Sequence, residues 1–154
     1  MGKPFAAFVF AAVALAPPAS AITFPSLTTI YIGSGVRDDG GGNDIGVATT
    51  FNCSNVSGVS AQVRFLVLAV NGTIEASETL TIPHGATRTT STHAEATFAS
   101  DSFLNTGIVA QGVVNIESTQ SGVFCNAMIT NAAVAGNGIT MPLVRVNPHP
   151  GTVE

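Results

Sequence analysis

Three aspartates fall within seven residues of one another: Asp38, Asp39 and Asp44 share the segment Arg37 to Asp44 with Asn43 and three consecutive glycines. Carboxylate and carbonyl oxygens gathered on a flexible turn are what a hard cation such as calcium takes as ligands. The spacing is not that of an EF-hand, because Asp38 and Asp39 are adjacent and no glutamate stands at the twelfth position. A hydrated loop between two strands accounts for the same residues without an ion. The expectation is therefore no metal and no cofactor, with Asp38, Asp39 and Asp44 as the calcium candidates should a cation bind.

His84, His93 and His149 make up the whole histidine supply, spaced nine and fifty-six residues apart. Zinc and copper sites need two or three such ligands converging, usually from closely spaced positions. His84 lies in Pro-His-Gly and His149 in Pro-His-Pro, turns in which exposure is expected. For hydrolysis there is no Gly-x-Ser-x-Gly and no Ser-x-x-Lys. A serine, His93 and Asp101 make a triad on paper, yet with so many serines the combination carries no information. Glu75, Glu78, Glu95 and Glu117 alternate along predicted strands and read as solvent-facing, which is not how a glycosidase pair is placed. No catalytic residue is assigned. Asn52, Asn55 and Asn71 each begin a glycosylation sequon and read as chance matches.

The two cysteines, Cys53 and Cys125, are read as a structural disulfide. Their number is even and the chain has an export signal, and each falls on the apolar face of its strand: Cys53 with Ile45, Val47 and Phe51, Cys125 with Val123, Ala127 and Ile129. A redox or metal-binding thiolate would need a polar setting and close spacing. The export signal is residues 1–21: Lys3, an apolar run of twelve residues from Phe5 to Ala16, a break at Pro17 and Pro18, then Ala19-Ser20-Ala21. Twelve residues fall well short of the roughly 20 that span a bilayer, so this is a cleaved signal peptide rather than an anchor. The domain then runs over residues 22–154, secreted or periplasmic, with no membrane insertion after cleavage.

These residues must be held by strands. Short runs rich in Val, Ile, Thr and Phe alternate with Gly, Asn and Pro, and no long 3.6-residue apolar period appears. About eight strands are expected: Thr23 to Ile32, Ile45 to Asn52, Ser60 to Val70, Thr73 to Ile82, Thr87 to Phe98, Ile108 to Glu117, Val123 to Asn131 and Ile139 to Val146. Asn71-Gly72 predicts a type I′ hairpin. The run from Val63 to Val70 is apolar on both faces, which places it centrally or packs it on both sides. The Thr-rich run from Thr87 to Thr97 reads as an edge strand and as a candidate contact face. With no helix to cover them, such strands form an all-β antiparallel sandwich of the Greek-key kind, or else an eight-stranded barrel.

Only 9% of the residues are charged, and removal of Lys3 leaves Arg37, Arg64, Arg88 and Arg145 against nine carboxylates. Four scattered cations exclude a nucleic-acid partner or an anionic membrane surface. The spacing of the two cysteines, with four predicted strands between them, resembles the inter-sheet bridge of immunoglobulin-like domains. Ser34-Gly35-Val36-Arg37-Asp38-Asp39, Cys53-Ser54-Asn55, Val144-Arg145-Val146-Asn147-Pro148 and Pro150-Gly151-Thr152 resemble a set of small exported bacterial proteins of unassigned function. That resemblance implies an immunoglobulin-like sandwich and brings no activity with it. The expected role is a non-catalytic module that acts by surface contact with a protein or surface partner, in an envelope, matrix or adhesion setting. The alternatives are a fibre subunit assembling through its N-terminal strand, or a calcium-dependent binding module.

Overall fold

A computed structural model describes residues 23–147. The expected signal segment at residues 1–21, His149 and the Pro150-Gly151-Thr152 motif lie outside the described residues. Ten strands follow one another: β1 (Thr23–Asp39), β2 (Val47–Asn55), β3 (Ala61–Leu68), β4 (Ile74–Ile82), β5 (Thr87–Ser91), β6 (Ser102–Phe103), β7 (Ile108–Gln120), β8 (Val123–Asn131), β9 (Gly138–Met141) and β10 (Leu143–Arg145). No helix occurs among the described residues, so none is long and apolar enough to cross a membrane. The strands form two five-stranded sheets, ordered β10-β1-β7-β3-β4 and β6-β5-β2-β8-β9. All pairings are antiparallel except β5 with β6. Both sheets are open, which rules out the barrel.

The core is where the two inner faces meet. Alternation puts Val63, Phe65 and Val67 of β3 inward beside Val114 and Ile116 of β7, and all five are fully buried. From the other sheet Phe51, Cys53 and Ala127 face them. Phe51 and Phe65 stack across the gap with ring centroids 6.0 Å apart. The second apolar face of β3 is not covered: Leu66 and Leu68 are half-buried on the outside of the sheet. β3 is one place in from the edge, between β7 and β4, so its double apolar character does not mark a strand packed on both sides.

Four strand expectations are corrected. β1 does not stop at Ile32 but runs on to Asp39, bending through register shifts on either side of Val36, so Arg37, Asp38 and Asp39 belong to a strand. The expected strand from Thr87 ends at Ser91; residues 92–101 leave the ladder and fold back, with Asp101 N–H donating to Thr89 O at 2.7 Å. The expected last strand is cut at Pro142, which has no N–H and drives the preceding residue into an extended bend. Its halves β9 and β10 end up in different sheets. The turn at Asn71-Gly72 is not type I′, since only Gly72 takes a positive φ, 82°. Gly72 N–H donates to Ala69 O at 2.9 Å and Ala69 N–H to Thr73 O at 2.8 Å, a three-residue loop closed by a left-handed glycine.

Arg145 secures the chain's last strand. Its Nη1 donates to Tyr31 Oη at 2.9 Å and to Val123 O at 2.8 Å, and its Nη2 donates to Ser121 O. The guanidinium also sits 5.2 Å from the ring centroids of both Tyr31 and Phe124. Attraction of this kind ties β10 and β1 of one sheet to the start of β8 in the other.

Cys53 and Cys125 are disulfide-bonded. They are directly opposite residues of β2 and β8, with Cα atoms 4.2 Å apart, as in a narrow antiparallel pair. The bridge therefore lies within one sheet, unlike the inter-sheet bridge that the cysteine spacing suggested. Closing a separation of 72 residues contributes about 4 kcal/mol on the chain-entropy model. Cys53→Ala with Cys125→Ala is expected to lower Tm by more than about 10 °C while leaving the β-type circular dichroism intact. A change of only a degree or two would refute that role.

Candidate functional site at one end of the sandwich

At the end where β1 finishes and β2 begins, the segments 40–46, 92–98, 104–107 and 132–137 gather with the β3–β4 turn. Backbone bonds knit them together: Asp44 N–H to Ala94 O at 3.2 Å, Ala96 N–H to Ala132 O at 2.8 Å and Ala132 N–H to Gly46 O at 2.8 Å. Thr49 reaches over from β2 and closes the free edge of β1, accepting from Arg37 N–H at 2.9 Å and donating to Arg37 O at 2.7 Å.

Alternation along β1 decides what the aspartates do, because successive side chains on a strand point to opposite faces. Asp38 turns inward and is only 1% exposed. Its Oδ1 accepts Gly40 N–H at 2.7 Å, and its Oδ2 lies 2.7 Å from His93 Nδ1 and 3.3 Å from Thr106 Oγ1. His93 Nε2 is 3.0 Å from the carbonyl of Ile45, which can only accept, so this nitrogen carries a hydrogen. Both ring nitrogens are engaged, and neither is free to take a proton from a nucleophile. The Asp38–His93–Thr106 group thus works as a brace joining three segments that are far apart in the chain.

Asp39 points outward. Val47 N–H is the main donor holding its carboxylate, with smaller help from Gly41 N–H and from the nearby His93; together these outweigh desolvation and keep its pKa below the usual 3.8. A Cβ on Gly46 would stand 2.2 Å from Asp39 Oδ1, and Gly46 also has φ of 80°, so only glycine fits there. Asp44 is exposed on the loop with φ of 57°. The three aspartates do not converge, and among the described residues no three His, Cys, Asp or Glu side chains are grouped to hold a metal ion.

The other candidates are separate. Asp101 is 2.5 Å from Arg88 Nη1 and accepts Thr89 N–H at 2.8 Å, the backbone donor being the larger reason that its pKa is lowered. It makes no pair with His93, so the paper triad is not assembled. His84 Nδ1 accepts Gly58 N–H at 3.0 Å at the opposite end of the sandwich. Two glutamates expected in solvent are buried. Glu95 caps its own loop by accepting Thr97 and Phe98 N–H at 2.7 and 3.0 Å, because its segment has left the sheet. Glu117 is covered by its ion pair with Arg64. Glu78 is half-buried at the seam between sheets, 3.4 Å from Thr90 Oγ1. The Thr-rich run offers no open face, since Thr89, Thr90, Ser91 and Thr92 are all buried. Asn55 is buried too, its amide donating to Val59 O and Ile82 O, so that sequon is a structural clamp.

What this end exposes instead is aliphatic. Ile45, Val70, Ile74 and Ile108 all project into solvent, Val70 and Ile108 at 78% and 75% exposure. Between the β3–β4 turn and the start of β7 lies a hollow of about 350 Å³, lined by Ala69, Val70, Ile108, Val109, Ala110 and Gln111. No sequence signal marked this patch, because it draws on residues from four separate turns and strand ends.

Two outcomes follow from this arrangement. Excess calcium and excess chelator are expected to give the same Tm; a cation held at 100 times its Kd would add about 2.7 kcal/mol and move it by several degrees. Asp39, its folded pKa being lowered, contributes stability that is present above the ordinary carboxylate value and lost as pH falls through the folded one. The Tm advantage of the wild type over Asp39→Asn should therefore hold at neutral pH, begin to shrink only below about pH 3.8 and vanish beneath the lowered folded value. An advantage that grows with acid would contradict this.

No family model matches the chain, and no curated protein matches it. Among solved structures, a chain described as "Structure of PfGH50B" aligns with 14% identity and a TM-score of 0.35, over 62% of this chain and 18% of that one. The likeness is too slight to bear on fold or activity.

Proposed function

We propose that the chain is an exported, non-catalytic β-sandwich of the kind its sequence resembles, acting by surface contact as an envelope, matrix or adhesion-type module. The carrying observation is the pairing of exposed aliphatic tips with a buried polar brace beneath them. Ile45 and Ile108 stand on or beside segments tied down by Asp38, His93 and Thr106, and Val70 on a turn closed by its own backbone bonds from Gly72 to Ala69 and from Ala69 to Thr73, so the apolar surface is presented in a fixed shape. Contiguous apolar surface held rigid on loop tips is the usual make-up of a contact site. The one His–Asp pair among the described residues supports a non-catalytic reading, since both imidazole nitrogens are occupied. The disulfide accords with an oxidising compartment outside the cytoplasm.

The test is cosedimentation of the purified mature chain with cell-envelope material from its source organism. Val70→Ser with Ile108→Ser alters only exposed positions, where stability changes stay within about 0.5 kcal/mol. Loss of two side chains from a contact surface should weaken association by about tenfold or more. Equal cosedimentation of the double variant, or none by the wild type, would overturn the assignment.

A further inference from the structure

Each open sheet ends in two edge strands, and three of the four carry something that discourages a further strand from pairing. β4 holds Glu75 and Glu78, with Glu78 turned toward the seam between the sheets. β6 has only two residues, and β10 has three, preceded by Pro142. Charges, prolines and short length are the ordinary protections of an edge. β9, Gly138–Met141, has no charge and no proline, and its register with β8 is unbroken. No Asp, Glu, Lys or Arg occurs between Glu117 and Arg145, so the whole β8–β9 hairpin is uncharged.

The ladder fixes which backbone groups of β9 are free. Asn131 N–H donates to Asn137 O at 2.9 Å, in the same register that sets Ile129 opposite Ile139 and Ala127 opposite Met141. Hydrogen-bonded and non-bonded pairs alternate along an antiparallel ladder. Ile139 and Met141 therefore aim N–H and C=O at β8, as Asn137 does its C=O, while Gly138 and Thr140 aim theirs outward. Ile139 is 73% exposed beside a hollow of about 310 Å³ whose lining includes Val47 and Ile129.

We infer that β9 is the interface of a two-fold dimer, pairing antiparallel with β9 of a second copy and centred on Ile139. In that register Gly138 of each copy faces Thr140 of the other, and each such pair exchanges two hydrogen bonds. All the outward groups of both residues are satisfied. A register centred on Thr140 would set Gly138 opposite Pro142, which has no N–H to give. A slip of one residue would place inward Ile139 opposite outward Thr140. The two Ile139 side chains meet over the apolar hollows, and the β6-β5-β2-β8-β9 sheet continues across the axis as ten strands. A second copy fits this edge because a two-fold axis sets a patch against itself, and an uncharged hairpin meets no like charge there. The β4 edge would bring Glu75 and Glu78 of two copies together.

Sedimentation velocity of the mature chain over a concentration series tests this, together with Thr140→Pro and Ile139→Lys. The N–H of Thr140 points away from β8, so proline removes no bond of the β8–β9 ladder but deletes two of the four between copies. Lysine at 139 puts like charges directly opposite. The wild type is expected to reach twice the monomer mass, and each variant to remain monomeric with an unchanged near-ultraviolet spectrum. Val70→Ser with Ile108→Ser should leave the dimer intact, which separates this interface from the aliphatic tips. Should Thr140→Pro misfold, Ile139→Lys at an exposed position decides alone. A wild type that stays monomeric to millimolar concentration, a dimer that survives in the folded variants, or open-ended oligomers would overturn the inference.

Discussion

The contact on which the rest depends is the stack of Phe51 on Phe65 between the two sheets. A chain with no helix among its described residues has nothing to cover one face of each sheet except the other sheet. Burying a side chain of this size contributes about 1.5–3 kcal/mol, and the aromatic pairing about 0.5–1.5 more. The rings come from β2 and β3, strands that adjoin in sequence but lie in opposite sheets, so the contact also sets where the short segment between them must cross. Once these faces meet, the sides need closing. Arg145 on Tyr31, Ser121 and Val123 closes one, Glu78 near Thr90 the other, and Thr49 seals the end of β1.

So sparing a supply of charge explains the character of the described end. Asp38 and His93 brace loops, Glu95 caps one, and Arg64, Glu117, Arg88 and Asp101 pair across neighbouring segments. Each of these groups is oriented by a partner within the fold. Exposed at the described end are the aliphatic side chains of Ile45, Val70, Ile74 and Ile108, beside the charged Asp39 and Asp44.

Much of the fold was legible from alternation. β2, β3, β4 and β8 follow runs in which most alternate residues are apolar, with Thr49 and Glu78 among the exceptions, and a lone pair of cysteines on such faces left one bridge to draw. Where alternation was broken, reading failed. Gly33, Gly35 and the charged run after Val36 looked like a loop, yet strand pairing with β7 carries β1 through its bulges to Asp39. His93 and Glu95 kept the spacing of a strand while their backbone had already left the sheet, so their burial was invisible. The Asp38–His93 pair spans fifty-five residues, and no spacing rule reaches that far. Which sheet each strand joins was hidden for the same reason: the information lies in contacts between distant parts of the chain.

That remoteness governs how the molecule is made. β1 is synthesised first, yet its sheet neighbours are β7 and β10, and β2 must wait for β8 before Cys53 has a partner. Neither sheet can be completed from the first half of the chain, and loop closure over such spans has to precede the contacts that reward it. Folding is therefore expected to be slow and to start only when nearly the whole sequence has emerged. Through that interval its apolar faces stand open, so the first half of the chain is exposed to aggregation until β7 and β8 arrive to cover it.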